Sequence, residues 1–386
     1  MNSKLKPKIR FKGFTDDCEQ RKFNEYINLR MGHLFSPSDY VKDGKYNVIT
    51  ISNVKGDRYI DISDVNTVDS LPSNINNYQI LCEDDLLISL TGNIGRVSFN
   101  KGVNNILNYR VGKIEFGKKE ICDKFIYAYL CQDSIIRSFI DKGQGGAQPN
   151  ISKSEVENLS IMVPSIDEQI KIGRFFEILD NTITLHQRKC NKLIELKKSL
   201  LKKIFPQNNS LIPEIRFKGF SDDWEQRKLN SLSRNVGTGK SKYHISQYNK
   251  YAILGSRGVI GYDNNYDYSG DFILTARVGE YAGELYRYNG NVKITDNTVY
   301  IQGENLDYLY YLLKQYDLKK LSFGSGQPLV KASELSNLEL KATKDSKEKE
   351  KISILFSNID NLITLHQRKH DKLNKIKQSL LNDMFV

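Results

Sequence analysis

The sequence predicts an α+β fold: two pseudo-two-fold-related mixed α/β modules separated by a long antiparallel two-helix coiled coil. Three observations carry that prediction. IRFKGFTDDCEQRKFN (Ile9 to Asn24) returns as IRFKGFSDDWEQRKLN (Ile215 to Asn230), identical at 13 of 16 positions with an offset of 206. DNTITLHQRKCNKLIELKKSLLKKIF (Asp180 to Phe205) returns as DNLITLHQRKHDKLNKIKQSLLNDMF (Asp360 to Phe385), sharing 16 of 26 positions at an offset of 180. The offsets differ by 26 residues, so the ends of a duplicated unit stayed alike while its middle changed. A repeat of this kind predicts internal two-fold character and two similar working surfaces. The segments are a first module at 1–164, a long helix at 165–206, a second module at 207–343 and a second long helix at 344–386.

Within the modules, YNVITISNVKGDRYIDIS (Tyr46 to Ser63) alternates apolar and polar residues like a strand and breaks at Gly56. DDLLISLTGNIGRVSF (Asp84 to Phe99) and GDFILTARVGEYAGELYRY (Gly270 to Tyr288) share a form: an acidic residue, an apolar strand, then a glycine-studded turn. FIYAYLCQDSIIRSFI (Phe125 to Ile140) and LDYLYYLLKQYDLKKL (Leu306 to Leu321) both read as amphipathic helices. Each precedes a Gly/Gln turn, GQGGAQPNIS (Gly143 to Ser152) and GSGQPLVKAS (Gly324 to Ser333).

The repeated tails read as helices. From Asp167 to Phe205 the only glycine is Gly173, and Pro206 supplies the stop. Apolar positions at Ile172, Phe176, Leu179, Ile183, Leu193, Leu200 and Ile204 follow a coiled-coil seam, matched by Ile352, Phe356, Ile359, Ile363, Leu373, Leu380 and Met384. Each helix spans on the order of 55–60 Å at 1.5 Å per residue. A pseudo-two-fold makes the pair antiparallel within one chain, with a diverged middle at each end of the rod; a coiled coil between two chains is the alternative. His186, Cys190 and Lys197, and their counterparts His366, His370 and Lys377, interrupt the seam. The i, i+4 pairs His186/Cys190 and His366/His370 can ligate zinc or act as polar residues that fix register.

Composition sets limits. Hydrophobic residues make up 39% of 386, enough for two or more cores. No run reaches the roughly 18 apolar residues of a membrane helix, and Met1 to Arg10 is a lysine-rich polar start. The five cysteines (Cys18, Cys82, Cys122, Cys131, Cys190) form no CxxC pair, which points to reduced thiols and a cytoplasmic setting. A net charge of +11, a pI near 9.1 and 22 tyrosines are compatible with a nucleic-acid partner.

The whole chain resembles the DNA-specificity (S) subunit of type I restriction–modification systems. The resemblance rests on the two IRFKGF…EQRK openings and the GQP-type turns at Gln148–Pro149 and Gln327–Pro328. It rests also on the lead PSIDEQIKIGRFFEILD (Pro164 to Asp180) and the strand ITDNTVYI (Ile294 to Ile301). The second lead, KATKDSKEKEKISILFSNID (Lys341 to Asp360), lacks the proline and the EQ pair. The resemblance implies that each middle is a target-recognition domain reading half of a bipartite site in double-stranded DNA, with the helices holding the halves apart. It implies two methyltransferase (M) subunits for adenine-N6 methylation and motor-nuclease (R) subunits for restriction. S-adenosylmethionine, ATP and Mg then belong to those partners, with no catalysis, cofactor or metal in this chain and no membrane partner.

Motifs for resident chemistry are missing. VGTGKS (Val236 to Ser241) lacks the first glycine of a phosphate loop, since Arg234 stands there, so Lys240 and Lys242 read better as a basic turn toward DNA phosphate. No Pro-Pro occurs for a DPPY-like methyltransferase motif, and HExxH, GxSxG and zinc-finger spacings are absent. Asp16–Asp17 and Asp222–Asp223 lie in the repeated frame and read as structural, as does Trp224 in the place of Cys18; Asp84–Asp85 is a further carboxylate pair.

Base edges call for polar and basic side chains on the turns of the diverged middles. The expected readers are Lys42, Lys45, Asn53, Lys55, Arg58, Asn93 and Arg96 in the first module. In the second they are Ser256, Arg257, Arg277, Tyr281 and Arg287. Two other classes stay open: a duplicated coiled-coil scaffold without sequence readout, and an ATPase using the Gly237 turn.

Overall fold

The computed structural model describes residues 6–117, 120–143, 150–245, 250–321 and 329–386. The turns at Gln148–Pro149 and Gln327–Pro328 lie outside the described residues. The chain divides into two compact units, Met1–Gln187 with Arg368–Val386, and Arg188–Gln367.

The first unit runs β1 (Glu19–Lys22), β2 (Ile27–Met31), β3 (Tyr46–Ile49), β4 (Asn66–Val68), β5 (Ile80–Leu81), β6 (Leu86–Ser89), β7 (Val97–Phe99), β8 (Asn105–Leu107) and β9 (Val111–Phe116). It continues with α1 (Asp123–Leu130), α2 (Asp133–Lys142), α3 (Lys153–Glu157), β10 (Ser160–Val163) and the start of α4 (Ile166–Ile204). The second unit holds β11 (Glu225–Lys228), α5 (Leu229–Leu232), β12 (Asn235–Thr238), β13 (Tyr251–Gly255), β14 (Gly258–Asp263), β15 (Tyr268–Ala276), β16 (Leu285–Ile294) and β17 (Thr298–Gln302). It closes with α6 (Leu306–Tyr316), α7 (Ala332–Ser336), β18 (Glu339–Ala342) and the start of α8 (Ser346–Asp383).

The repeated opening does the same thing twice. EQRK forms β1, antiparallel to β10, and again β11, antiparallel to β18. Arg10 donates to Glu168 at 2.7 and 2.6 Å, and Arg216 to Glu348 at 2.7 and 3.0 Å. Both glutamates are buried and both lie in the first turn of a long helix, where a negative charge faces the positive end of the helix dipole. The second lead therefore keeps the docking carboxylate although it lost the proline and the EQ pair.

The long helices pair antiparallel inside each unit. In the first, Lys377 of α8 meets Asp180 of α4 at 2.6 Å; in the second, Lys197 of α4 meets Asp360 of α8 at 2.5 Å. The two pairs are images of each other at the repeat offset of 180. Each unit's core is finished by the helix end of the other repeat: Phe385 packs on Phe125, Tyr129 and Phe176, and Phe205 on Trp224, Tyr308 and Phe356. The backbone follows suit, with Ile9 N–H donating to Asp383 C=O at 2.9 Å and Ile215 N–H to Lys203 C=O at 3.0 Å. In the seam, the Cys190 thiol is buried and lies 3.6 Å from Gln367 Oε1. His370 Nδ1 lies 3.1 Å from Asp371. Among the described residues no group of three or more His, Cys, Asp or Glu is placed to hold a metal ion.

The diverged middles share one plan. In the second unit the strands order β12-β17-β15-β16-β13-β14 in one sheet; in the first they split into β2-β9-β6-β7 and β4-β3-β8-β5. Each keeps one parallel pairing, β3 with β8 and β13 with β16. Three expected elements are shorter than read. Phe125 to Ile140 breaks into α1 and α2, because the Gln132 side chain turns back to the Tyr129 carbonyl at 2.9 Å and its extended backbone caps α2. Leu306 to Leu321 breaks at Asp317, whose φ of 62° is left-handed. Only Tyr46–Ile49 of the Tyr46 to Ser63 stretch is a strand; beyond it Val54 and Ile60 plug a small core from a loop, which mimics strand alternation. Among the described residues no helix is long and apolar enough to cross a membrane.

Candidate nucleic-acid interface

In the second unit, four of the expected readers gather at the C-terminal edge of the parallel strand pair. Thr295 N–H donates to Leu254 C=O at 3.0 Å, where β13 ends beside the turn after β16. Asn297 C=O in that turn accepts from Arg277 N–H at 2.8 Å and from Ser256 Oγ at 3.4 Å. The exposed Arg257 guanidinium lies 3.4 Å from the centre of the Tyr281 ring, a cation–π stack that holds two flexible side chains in one place. Gly239 N–H donates to Thr298 C=O at 2.9 Å, bringing the exposed Lys240 to the same edge. Gly239 must be glycine there, since a Cβ would collide with the Ile294 and Thr295 carbonyls. Lys242 is exposed as well, and its carbonyl accepts from buried Lys293 at 2.8 Å. Lys240, Lys242, Ser256, Arg257, Arg277 and Tyr281 thus form one rim.

The VGTGKS segment has no phosphate-loop geometry. Its first part is β12, paired with β17, and Gly237 lets the Tyr300 ring approach. No described helix follows it before β13.

The first unit builds the matching rim from other side chains. Asn108 N–H donates to Ile49 C=O at 3.1 Å, Leu90 N–H to Arg110 C=O at 3.0 Å, and Gly32 touches the Leu107 and Asn108 carbonyls as Gly239 touches Ile294 and Thr295. Here the turn is Asn108-Tyr109-Arg110 in place of Thr295-Asp296-Asn297. Arg110 is exposed, and its Nε donates to Tyr109 Oη at 2.6 Å. His33 joins them, its carbonyl accepting from Tyr109 N–H at 2.8 Å. His33, Tyr109 and Arg110 were not among the expected readers. The available signal was ILNYRVGKI (Ile106 to Ile114), which aligns with ITDNTVYI only once strand pairing is known.

The expected readers of the first unit scatter. Asn93 is exposed on the turn after β6, and Arg96 is exposed beside Gly56. Lys42 and Lys45 are exposed at the other end of β3, Lys45 with its ammonium 5.2 Å from the Tyr46 ring. Lys55 is paired with Asp61 at 2.7 Å, and that contact together with hydrogen bonds from Ser63 lowers the Asp61 pKa far below the usual carboxylate range. Asn53 is buried, accepting from Thr50 N–H at 2.9 Å and donating to Asp61 C=O at 2.8 Å. Arg58 is buried against Glu177 at 2.6 Å. In the second unit Arg287 leans away from the rim, onto Asp307 and Tyr310 of α6.

The family described as the type I restriction modification DNA specificity domain matches residues 15–196 and again 221–375. The chain belongs to that family. The chain is similar to the type I restriction enzyme MjaVIII specificity subunit of Methanocaldococcus jannaschii, 24% identical over 354 residues that cover 80% of each chain. The EcoprrI specificity subunit of Escherichia coli is 25% identical over 133 residues, 31% of this chain and 33% of that one. The type I system S subunit from M. genitalium superimposes with a TM-score of 0.73 at 15% identity, covering 99% of both chains. A chain from a type I restriction–modification assembly gives 0.52 at 14% identity, covering 96% and 98%. The two matched blocks fall on the two repeats, so the family assignment and the duplication describe the same architecture.

Proposed function

We propose that this specificity subunit reads a bipartite site in double-stranded DNA, one half with each rim, and carries no catalysis of its own. The observation that supports the reading is one rim built twice with different side chains on one frame: Tyr109 and Arg110 in one unit, Arg257, Arg277 and Tyr281 in the other. Equal frames give equal docking, and unequal rims give unequal half-sites. Arginine and tyrosine suit this task, because a guanidinium offers two donors to guanine and an aromatic ring covers apolar base edges. Phosphate contacts from Lys240, Lys242 and neighbouring lysines would supply most of the affinity and make it salt-dependent. Two M subunits would bring S-adenosylmethionine and adenine-N6 methylation, and R subunits would bring ATP, Mg and cleavage; the relative from a solved type I assembly makes this the natural set of partners. Sequencing methylated adenines tests the proposal. Arg257→Ala should relax one half-site while the preference at the other survives; equal relaxation of both halves would defeat the two-rim reading.

A further inference from the structure

Arg58 and Arg287 were expected among the DNA contacts, yet Arg58 is buried and Arg287, though still exposed, leans toward the same feature of the repeated frame. In the first unit the Arg58 guanidinium lies 5.7 Å from the centre of the Tyr127 ring, and the ammonium of Lys377, paired with Asp180, lies 5.8 Å from that ring. In the second unit Arg287 lies 5.6 Å from the Tyr311 ring, and the Tyr311 hydroxyl donates to Asp360 at 2.9 Å, the partner of Lys197. The Asp–Lys pairs are images under the repeat. The arginines are not: Arg58 comes from the loop after β3, and Arg287 from near the start of β16. Two diverged modules have each sent a guanidinium onto a tyrosine that adjoins the frame's ion pair.

Both arginines tie a diverged module to a helix. Arg58 donates to Glu177 of α4, which also takes Lys124 of α1 at 2.7 Å. Its loop passes Gly56, where a Cβ would come 3.1 Å from Cδ of Arg96, so the same loop packs closely on the Arg96 side chain. Arg287 holds β16 to α6 through Asp307 and Tyr310, and the end of β16 leads directly into the Thr295–Asn297 turn of the rim. A planar guanidinium wedged between a ring and a carboxylate has one orientation, unlike an ammonium.

We propose that Arg58 and Arg287 are positioning residues: each fixes the angle between its module and the helices, and thereby the spacing between half-sites that the chain accepts. This rests on the bipartite reading above. The experiment uses the full complex with M subunits on a DNA library in which the half-sites are joined by spacers of every length, with sequencing of the methylated products. Arg287→Met should leave both base preferences intact while lowering discrimination against spacers one base pair too long or short by on the order of tenfold, the scale of one lost charge-assisted hydrogen bond. Arg58→Met with Glu177→Gln, which avoids stranding a buried charge, should do the same, and Arg58→Lys should restore part of the discrimination. A changed base preference at either half-site would make these residues readers and overturn the proposal. Uniform loss at every spacer length would overturn it too, leaving them merely structural. A wild-type complex that methylates no bipartite site would sink the functional reading itself, an outcome separable from either of these.

Discussion

Phe385→Ala tests whether the end of α8 belongs to the core of the first unit. The side chain is 8% exposed and has ring centres at 5.5, 5.6 and 6.0 Å on Tyr129, Phe125 and Phe176. Truncating a buried phenylalanine costs about 3–5 kcal/mol, and each aromatic pair adds about 0.5–1.5 kcal/mol to its area term. Relaxation near the chain end places the expectation at about 3 kcal/mol. With a urea slope of about 2 kcal/mol per molar for a unit of this size, the midpoint should fall by roughly 1.5 M. Trp224 is the single tryptophan and lies in the other unit, so its fluorescence serves as the internal control. Hydrogen exchange of peptides from Leu86–Ser89 and Asp123–Leu130 should accelerate while the Trp224 transition moves much less. Unchanged protection in those first-unit peptides would refute the shared-core argument.

Glu348→Gln should lower the Trp224-reported midpoint by an amount equivalent to about 3 kcal/mol, because it leaves the half-buried Arg216 guanidinium without its buried carboxylate; adding Arg216→Met should recover part of the loss in a double-mutant cycle. Gly239→Ala should destabilise the second unit and abolish recognition of one half-site, read by the same fluorescence transition and by methylation sequencing, since the Ile294 and Thr295 carbonyls leave no room for a Cβ. Burial pushes the Tyr311 hydroxyl up to about 12, above its unfolded value near 10. The folded state therefore holds that proton more tightly, and this contribution is present below pH 10 and lost as pH rises toward 12. Tyr311→Phe should flatten the decline in stability over that window, measured by urea midpoints at pH 9, 10 and 11.

The frame was legible because duplication supplied an internal alignment: Arg10 and Arg216, or Asp180 and Asp360, can be paired from the sequence alone. Glu348 was harder, since its neighbours Lys347 and Lys349 replace the acidic and amide residues around Glu168, and only the ion pair reveals the equivalence. The rims were half legible. Arg257, Arg277 and Tyr281 flank glycine turns, and turn chemistry marks such places; Tyr109 and Arg110 sit between two short strands with no glycine beside them. Arg58 and Asn53 misled for a physical reason. A polar side chain on a loop is usually solvated, but this loop plugs a core with Val54 and Ile60, so its polar groups went inside and bonded to backbone and helix. Composition cannot distinguish a guanidinium that meets a carboxylate of its own chain from one left for a ligand.

The joint Ile9–Asp383 has the same bonding as the joint Ile215–Lys203, with an ion pair beside each, Lys8 to Asp383 at 3.1 Å and Lys203 to Glu214 at 2.5 Å. The two joints are therefore equivalent under the repeat, and covalent chain bridges the second of them. Residues 204–214 provide the bridge. Opening the chain near residue 209 and bridging the other joint with a similar stretch would transpose the order of the two halves in the gene while keeping both joints, with Phe385 and Lys8 replaced by their counterparts Phe205 and Glu214.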